Sequence, residues 1–163
     1  MSRKDEALRF LDEAGISYTI REHDPVDTIA DMEALGLDKE GHICKNLFLR
    51  DMKGKKHFLV VMSKDKQANL KGLAGALKST KLSFASDKRL AKYLGLAPGG
   101  VSPLGVINDV NHEVHVVFDN DLPKHPIVGI HPNDNRATLY LAFKDLEKII
   151  REQGNTISFV TVL

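Results

Sequence analysis

A lysine interrupts an apolar, strand-like segment between Gly41 and Leu49. Alternate side chains of an extended chain share a face, so Lys45 lies on the same face as Ile43 and Leu47, which are typical core residues. Because burying an unpaired ammonium is costly, we expect Lys45 to border a cleft or to meet an opposite charge. A place at the frayed start of the strand, with the ammonium reaching water, is the alternative. The amide of Asn46 beside it can hold a substrate oxygen or amine.

A second unusual segment is the loop from Gly99 to Pro103. Residues 97–105 contain two prolines and three glycines, which argues against regular structure there. Adjacent glycines accept positive φ and let the backbone approach a ligand closely, and Pro103 restricts the exit of the loop. The loop can therefore present backbone groups to a small polar ligand, although a plain turn explains the same residues.

A histidine follows the short apolar run that ends at Ile130. His131 can act as an acid, a base or a hydrogen-bond donor near neutral pH, but a structural role is the common alternative at a strand end. The other histidines do not show the spacing of a metal site, so no metal is predicted. Nucleophile-elbow, Walker and dinucleotide-binding motifs are absent, and Cys44 faces away from Lys45 as a buried structural cysteine would.

Hydrophobic periodicity divides the chain into alternating helices and strands. Helices are predicted after the caps Ser2, Asp27 or Thr28, Asp65 and Ser86, with a last one around Leu146, Ile149 and Ile150. Strands are predicted over residues 16–21, 43–49, 56–62, 82–85, 114–118, 127–130, 137–141 and 156–163. Hairpins and helix crossovers both occur, which indicates a mixed α/β fold with helices packed on a central mixed sheet. Without a repeat or a long linker, residues 1–163 are interpreted as a single domain.

The composition is that of an ordinary globular protein, with 42% apolar and 28% charged residues. The single cysteine excludes an intrachain disulfide and favours a reducing compartment. No signal-like N-terminus and no long apolar run is present, so we expect a cytoplasmic protein without a membrane span.

Charge is distributed unevenly although the net charge is only +1. Residues 64–92 carry eight basic and two acidic side chains, whereas residues 109–134 are mainly acidic. One basic face could therefore meet phosphates, while ordinary solvated helix faces are the alternative.

Three of these segments together resemble the prolyl-tRNA synthetase editing-domain superfamily. They are Cys44-Lys45-Asn46-Leu47, the loop Gly99-Gly100-Val101-Ser102-Pro103 with the G-x-x-x-P pattern of that family, and Gly129-Ile130-His131-Pro132. The resemblance spans nearly the whole chain and is closest to the free-standing, YbaK/ProX-type members. It implies a mixed, partly barrel-like sheet wrapped by helices.

The resemblance also implies hydrolysis of the aminoacyl ester of mischarged tRNA, with alanine on proline tRNA as the substrate and no cofactor. Lys45 would stabilise charge as an electrostatic anchor, and the glycine-proline loop would position water and the α-amine of the substrate. The terminal ribose hydroxyl of the substrate could assist. Proline tRNA is the expected partner and prolyl-tRNA synthetase a second one, and we expect a monomer.

The residues assigned from this interpretation fall into three groups. The catalytic group is Lys45, Gly100, Ser102 and His131; the substrate-binding group is Thr28, Ile29, Met32, Asn46, Leu47, Gly99, Val101 and Pro103, with Phe48 as a further wall. The tRNA-binding group is Lys64, Lys66, Lys78, Lys81, Lys88 and Arg89. Removal of cysteine or another small amino acid from the same tRNA is an alternative function, and a non-catalytic module that binds an amino acid or aminoacyl-tRNA is another.

Overall fold

The computed structural model describes residues 1–162, which form five helices and eight strands. The helices are α1 (Arg3–Glu13), α2 (Ile29–Ala34), α3 (Leu70–Ala76), α4 (Asp87–Leu94) and α5 (Phe143–Gln153). The strands are β1 (Tyr18–Glu22), β2 (His42–Arg50), β3 (His57–Ser63), β4 (Ser83–Phe84), β5 (Val114–Asp119), β6 (Ile127–Ile130), β7 (Ala137–Ala142) and β8 (Ile157–Val160). Leu163, the last residue of the final predicted strand, lies outside the described residues. None of the helices among residues 1–162 is long and apolar enough to span a bilayer.

The strands form one mixed sheet in the order β1-β7-β6-β2-β3-β5-β8, and β4 pairs separately with β2. The pairs β2–β6, β3–β5 and β5–β8 are parallel and the others are antiparallel. The predicted central mixed sheet is therefore confirmed. Its path is open between β1 and β8, so the pairings among residues 1–162 do not close it into a complete barrel.

Helices cover both faces of the sheet. On one face, α1, α4 and α5 bury side chains such as Leu11, Leu94 and Leu146 in the main core. On the other face, Leu73 of α3 packs in a second cluster with Val60 and Met62. A third, smaller cluster lies under α2 and consists of Val26, Met32, Leu37, Ile43 and Tyr140. This arrangement confirms the prediction of helices wrapped around the sheet.

Local capping explains where most helices begin. The side chains of Ser2, Thr28 and Ser86 accept hydrogen bonds at the starts of α1, α2 and α4, as predicted. The predicted cap Asp65 is wrong, because Asn69 accepts from the amide of Gly72 and α3 begins four residues later than that cap implies.

The glycine-proline loop is shorter than the sequence indicates. Residues Pro103–Asn108 form a 3-10 helix instead of irregular loop, since Pro103 is compatible with a first helical position and Ser102 caps the amide of Leu104. Regular structure therefore begins at residue 103, and only the part before it remains an irregular loop.

The two faces of β2 divide as the alternation of residue types predicts. Ile43 belongs to the cluster under α2, while Leu47 and Leu49 belong with the α3 cluster. Lys45 lies on the same face of the strand, between Ile43 and Leu47. Cys44 and Phe48 point into the main core on the opposite face.

Candidate active site

A cavity of about 330 Å³ lies where the start of α2, the first half of β2 and the Gly99 loop meet. Nine residues predicted from the sequence line it: Thr28, Ile29, Met32, Lys45, Asn46, Leu47, Gly99, Val101 and His131. They come from four separate parts of the chain, so the fold brings together the three motifs that the sequence analysis singled out.

A gap in the pairing of β2 forms one wall of this cavity. One edge of β2 pairs with β3, while the other edge pairs with β6 only at His42 and Ile43 and with β4 only at Leu49 and Arg50. Between these contacts the second edge has no strand partner among residues 1–162. The unpaired edge explains why four consecutive residues, 44–47, line the cavity although their side chains alternate in direction.

Lys45 supplies a positive charge to the cavity. Its Nζ donates a hydrogen bond to the backbone carbonyl of Lys66 at 2.6 Å, which orients the side chain. No carboxylate of residues 1–162 lies within ion-pair distance of this ammonium. Because an ammonium has three donors, two remain for a ligand, and the charge is not neutralised by the protein.

The side chain of His131 is held in one tautomer. Its Nδ1 lies 3.1 Å from the carbonyl of Ala137, which can only accept, so Nδ1 carries the hydrogen and Nε2 is left as an acceptor. Burial lowers the pKa of His131 below its usual 6.5. The ring is therefore neutral at pH 7 and can accept a hydrogen bond or a proton at Nε2.

Asn46 adds unused hydrogen-bonding capacity beside Lys45. Its Oδ1 is buried and accepts no hydrogen bond from residues 1–162. A buried amide oxygen without a partner is costly, so a ligand donor that reached it would relieve that cost.

Gly99 needs to be glycine for two reasons. Its φ of +86° lies in the left-handed region, and a Cβ at this position would lie 3.1 Å from Nδ2 of Asn135. The bare backbone of Gly99 therefore forms part of the cavity wall where a side chain would displace the neighbouring amide.

Three predicted residues of the loop lie outside the cavity lining. Gly100 is buried against the backbone of Asn133 and borders a separate cleft of about 150 Å³. The hydroxyl of Ser102 is fully buried and caps the 3-10 helix that Pro103 begins. These positions shape the loop from behind, and their hydrogen bonds and burial were not visible in the sequence.

Phe48 is likewise not a wall of the cavity. The prediction for this residue is wrong, because its ring packs in the main core against His57 and Tyr93.

The sequence analysis missed three lining residues, Val26, Asp27 and Cys44. The sequence predicts Asp27 only as an alternative helix cap, a role that Thr28 takes. Cys44 lies in the main core as predicted and also borders the cavity, where burial raises the pKa of its thiol to about 12 and keeps it neutral. The sequence feature that could have identified Asp27 as a lining residue is its position just before the start of α2.

The predicted tRNA-binding residues fall into two groups. Lys64 pairs with Glu33 and Asp65, and Lys66 pairs with Asp119 and Asp121 at 2.9 and 2.6 Å. Arg89 donates to the carbonyl of Gly54 and to Nε2 of His57. In contrast, Lys78, Lys81 and Lys88 are exposed and form no ion pair among residues 1–162.

The mixed sheet, the glycine-lined cavity and its single lysine define a domain of the editing class. Residues 23–149 match the model of the aminoacyl-tRNA editing domain, and the chain belongs to this family. The resemblance found in the sequence is thereby confirmed.

Individual relatives agree with this assignment. The prolyl-tRNA editing protein ProX of Acetoanaerobium sticklandii is 51% identical over 160 residues, which cover 98% of each chain. The prolyl-tRNA synthetase associated domain-containing protein 1 of Danio rerio is 31% identical over 155 residues, covering 94% of this chain and 84% of its own. The crystal structure of a candidate trans-editing enzyme for prolyl tRNA synthetase superposes with a TM-score of 0.74 over 99% of this chain and 98% of that one; at 21% identity the likeness concerns the fold.

Proposed function

We propose that this chain is a trans-acting deacylase that hydrolyses alanine wrongly esterified to proline tRNA. The observation that carries the proposal is the cavity in which an unneutralised lysine, a neutral histidine and a bare glycine backbone meet within an editing-family domain. The 51% identity to a prolyl-tRNA editing protein over 98% of both chains supports the choice of tRNA.

Lys45 stabilises the charge that develops during ester hydrolysis. Water attacks the carbonyl carbon, negative charge builds on the carbonyl oxygen, and collapse releases the amino acid and the ribose hydroxyl. The two free N–H donors of Lys45 are available to that oxygen or to an adjacent phosphate, in a site partly shielded from water. No nucleophilic side chain is required.

His131 and the Gly99 loop position the attacking water. Nε2 of neutral His131 accepts a hydrogen from the water or from the terminal ribose hydroxyl, while Nδ1 stays bound to Ala137. The amide of Asn46 and the backbone of Gly99 hold the ester in place. The roles of Gly100, Ser102 and Pro103 are then to fix the loop that carries Gly99 and Val101.

Selection of alanine is steric. Val26, Ile29, Met32 and Leu47 form apolar walls, and the cavity is at the small end of ligand sites. A pocket of this kind rejects a side chain that is too large for it more strongly than one that is too small. Proline, the correct amino acid, would be excluded by its ring.

The partners follow from the same proposal. The protein binds the acceptor end of proline tRNA, acts as a monomer alongside prolyl-tRNA synthetase, and works in the cytoplasm where that tRNA is charged.

A panel of charged proline tRNAs tests the function directly. Deacylation is measured with alanine, cysteine and serine on proline tRNA and with correctly charged prolyl-tRNA as the control. We expect rapid release of alanine and none of proline. Preferential release of cysteine would support the alternative specificity, and binding of all four without hydrolysis would identify a non-catalytic module.

A further inference from the structure

Asp27 places a carboxylate at the rim of the cavity. Its Oδ1 would lie 3.6 Å from a Cβ built on Gly99 and accepts a weak hydrogen bond from Nδ2 of Asn135 at 3.4 Å. The same Nδ2 lies 3.3 Å from the carbonyl of Val26, so Asn135 ties the Asp27 segment to the turn after His131. The carboxylate is thereby placed beside the backbone of Gly99.

This carboxylate forms no ion pair with the described residues. No lysine, arginine or histidine of residues 1–162 lies within ion-pair distance of Asp27. The cavity therefore holds one ammonium, Lys45, and one carboxylate, Asp27, and neither is paired with a protein group of opposite charge.

An aminoacyl ester carries the complementary pair of charges. Its carbonyl oxygen gains negative charge during hydrolysis, and its α-amine is positively charged at and below neutral pH. We infer that Asp27 binds the α-ammonium of the aminoacyl ester while Lys45 faces the carbonyl side. This inference rests on the proposed function and specifies it, because the site would then require a free α-amine.

The consequence is a substrate class narrower than aminoacyl esters in general. Esters whose α-nitrogen is acylated, as in peptidyl or formyl-aminoacyl tRNA, and esters that carry a hydroxyl in place of the amine would lose the contact with Asp27. A charge-assisted hydrogen bond of this kind corresponds to a change of about 10- to 100-fold in kcat/KM.

The test compares alanyl-tRNA with lactyl-tRNA, both on proline tRNA. Lactate is nearly the same size as alanine but has a neutral hydroxyl in place of the ammonium, so steric exclusion does not enter. Rates are divided by the spontaneous hydrolysis rate of each ester. The wild-type chain is expected to prefer alanyl-tRNA by about 10- to 100-fold, and D27N is expected to lose most of that preference by slowing alanyl-tRNA alone.

Asp31→Asn is the matched control. Asp31 is an exposed acid in the first turn of α2, outside the cavity lining, so its removal changes the net charge equally. A structural role for Asp27 would slow both esters together, whereas an ammonium contact changes their ratio. Wild-type preference in D27N overturns the inference while the proposed function stands. If the wild-type chain hydrolyses neither ester, the proposed function itself fails and the inference with it.

Discussion

At the scale of single residues, the structure prepares two side chains of the cavity for ester hydrolysis, the ammonium of Lys45 and the imidazole of His131. Lys45 is oriented by one backbone carbonyl and is left without a counter-charge. Burial lowers the pKa of His131 and keeps the ring neutral, and the hydrogen bond to Ala137 fixes the tautomer that leaves Nε2 as the acceptor. Each of these roles belongs to one side chain, so each can be tested by one substitution.

Replacing Lys45 by alanine is expected to slow deacylation of alanyl-tRNA by about 100- to 1,000-fold, because one preorganised donor to the developing charge is lost. Single-turnover hydrolysis measures this effect. Lys148→Ala, which removes an exposed lysine of α5, is the control for charge and should retain the wild-type rate. A folded Lys45→Ala protein with wild-type activity would contradict the role assigned to the ammonium.

The rate should also depend on pH through His131. Burial lowers its pKa, so the neutral, active ring persists below pH 6.5 and the rate falls only as pH drops through that lowered pKa. A profile of kcat/KM from about pH 5 to 7.5 tests this expectation. In His131→Asn, the residual kcat/KM should no longer decrease as the pH is lowered. An inflection above pH 6.5, or the same fall in that variant, would assign the titration to another group.

At the scale of elements, the site depends on where β6 leaves β2. The parallel pair ends after Ile43 and Gly129, and the edge of β2 beyond it is open to the cavity. A Cβ on Gly129 would lie only 2.6 Å from Cδ1 of Ile43, so the Ile43 side chain can pack over position 129 only because that residue is a glycine.

We expect Gly129→Ala to destabilise the fold by about 1–3 kcal/mol through overpacking against Ile43. Urea unfolding measures the loss. Ile43→Val removes the Cδ1 that clashes, so the double variant should recover most of the stability lost by Gly129→Ala. Additive losses in the double variant would show that this contact is not the cause.

At the scale of the whole molecule, the basic side chains of residues 64–92 do not form one uniformly positive surface. The ion pairs of Lys64 and Lys66 with acidic residues elsewhere in the chain offset part of the local excess of charge. Lys78, Lys81 and Lys88 stay exposed and are the better candidates for contacts with phosphates.

Joint substitution of Lys78, Lys81 and Lys88 by alanine is expected to weaken tRNA binding and to reduce the salt slope. Each lost phosphate contact lowers the slope of log Kd against log salt by roughly 0.7–0.9. The control is a joint alanine variant of Lys144 and Lys148, which are exposed on α5. Equal slopes for both variants, measured from low to moderate salt, would place the tRNA on another surface.

The local features of this protein could be predicted from the sequence alone. The alternation of residue types in β2 placed Lys45 on one face with Ile43 and Leu47, and short-range capping identified the starts of α1, α2 and α4. Both depend on side chains only a few positions apart. The order of the three motifs also pointed to the editing family, which the family match confirmed.

The contents of the cavity were decided by tertiary structure. The unpaired edge of β2 exists because β6 and β4, which come much later in the chain, each pair with only two of its residues. Asp27 lies beside Gly99 and is bonded to Asn135, so this residue enters the site, whereas Gly100 lies against the backbone of Asn133 and is excluded from the cavity lining. Such contacts join distant segments, and their geometry depends on the packing of the whole sheet rather than on any local pattern.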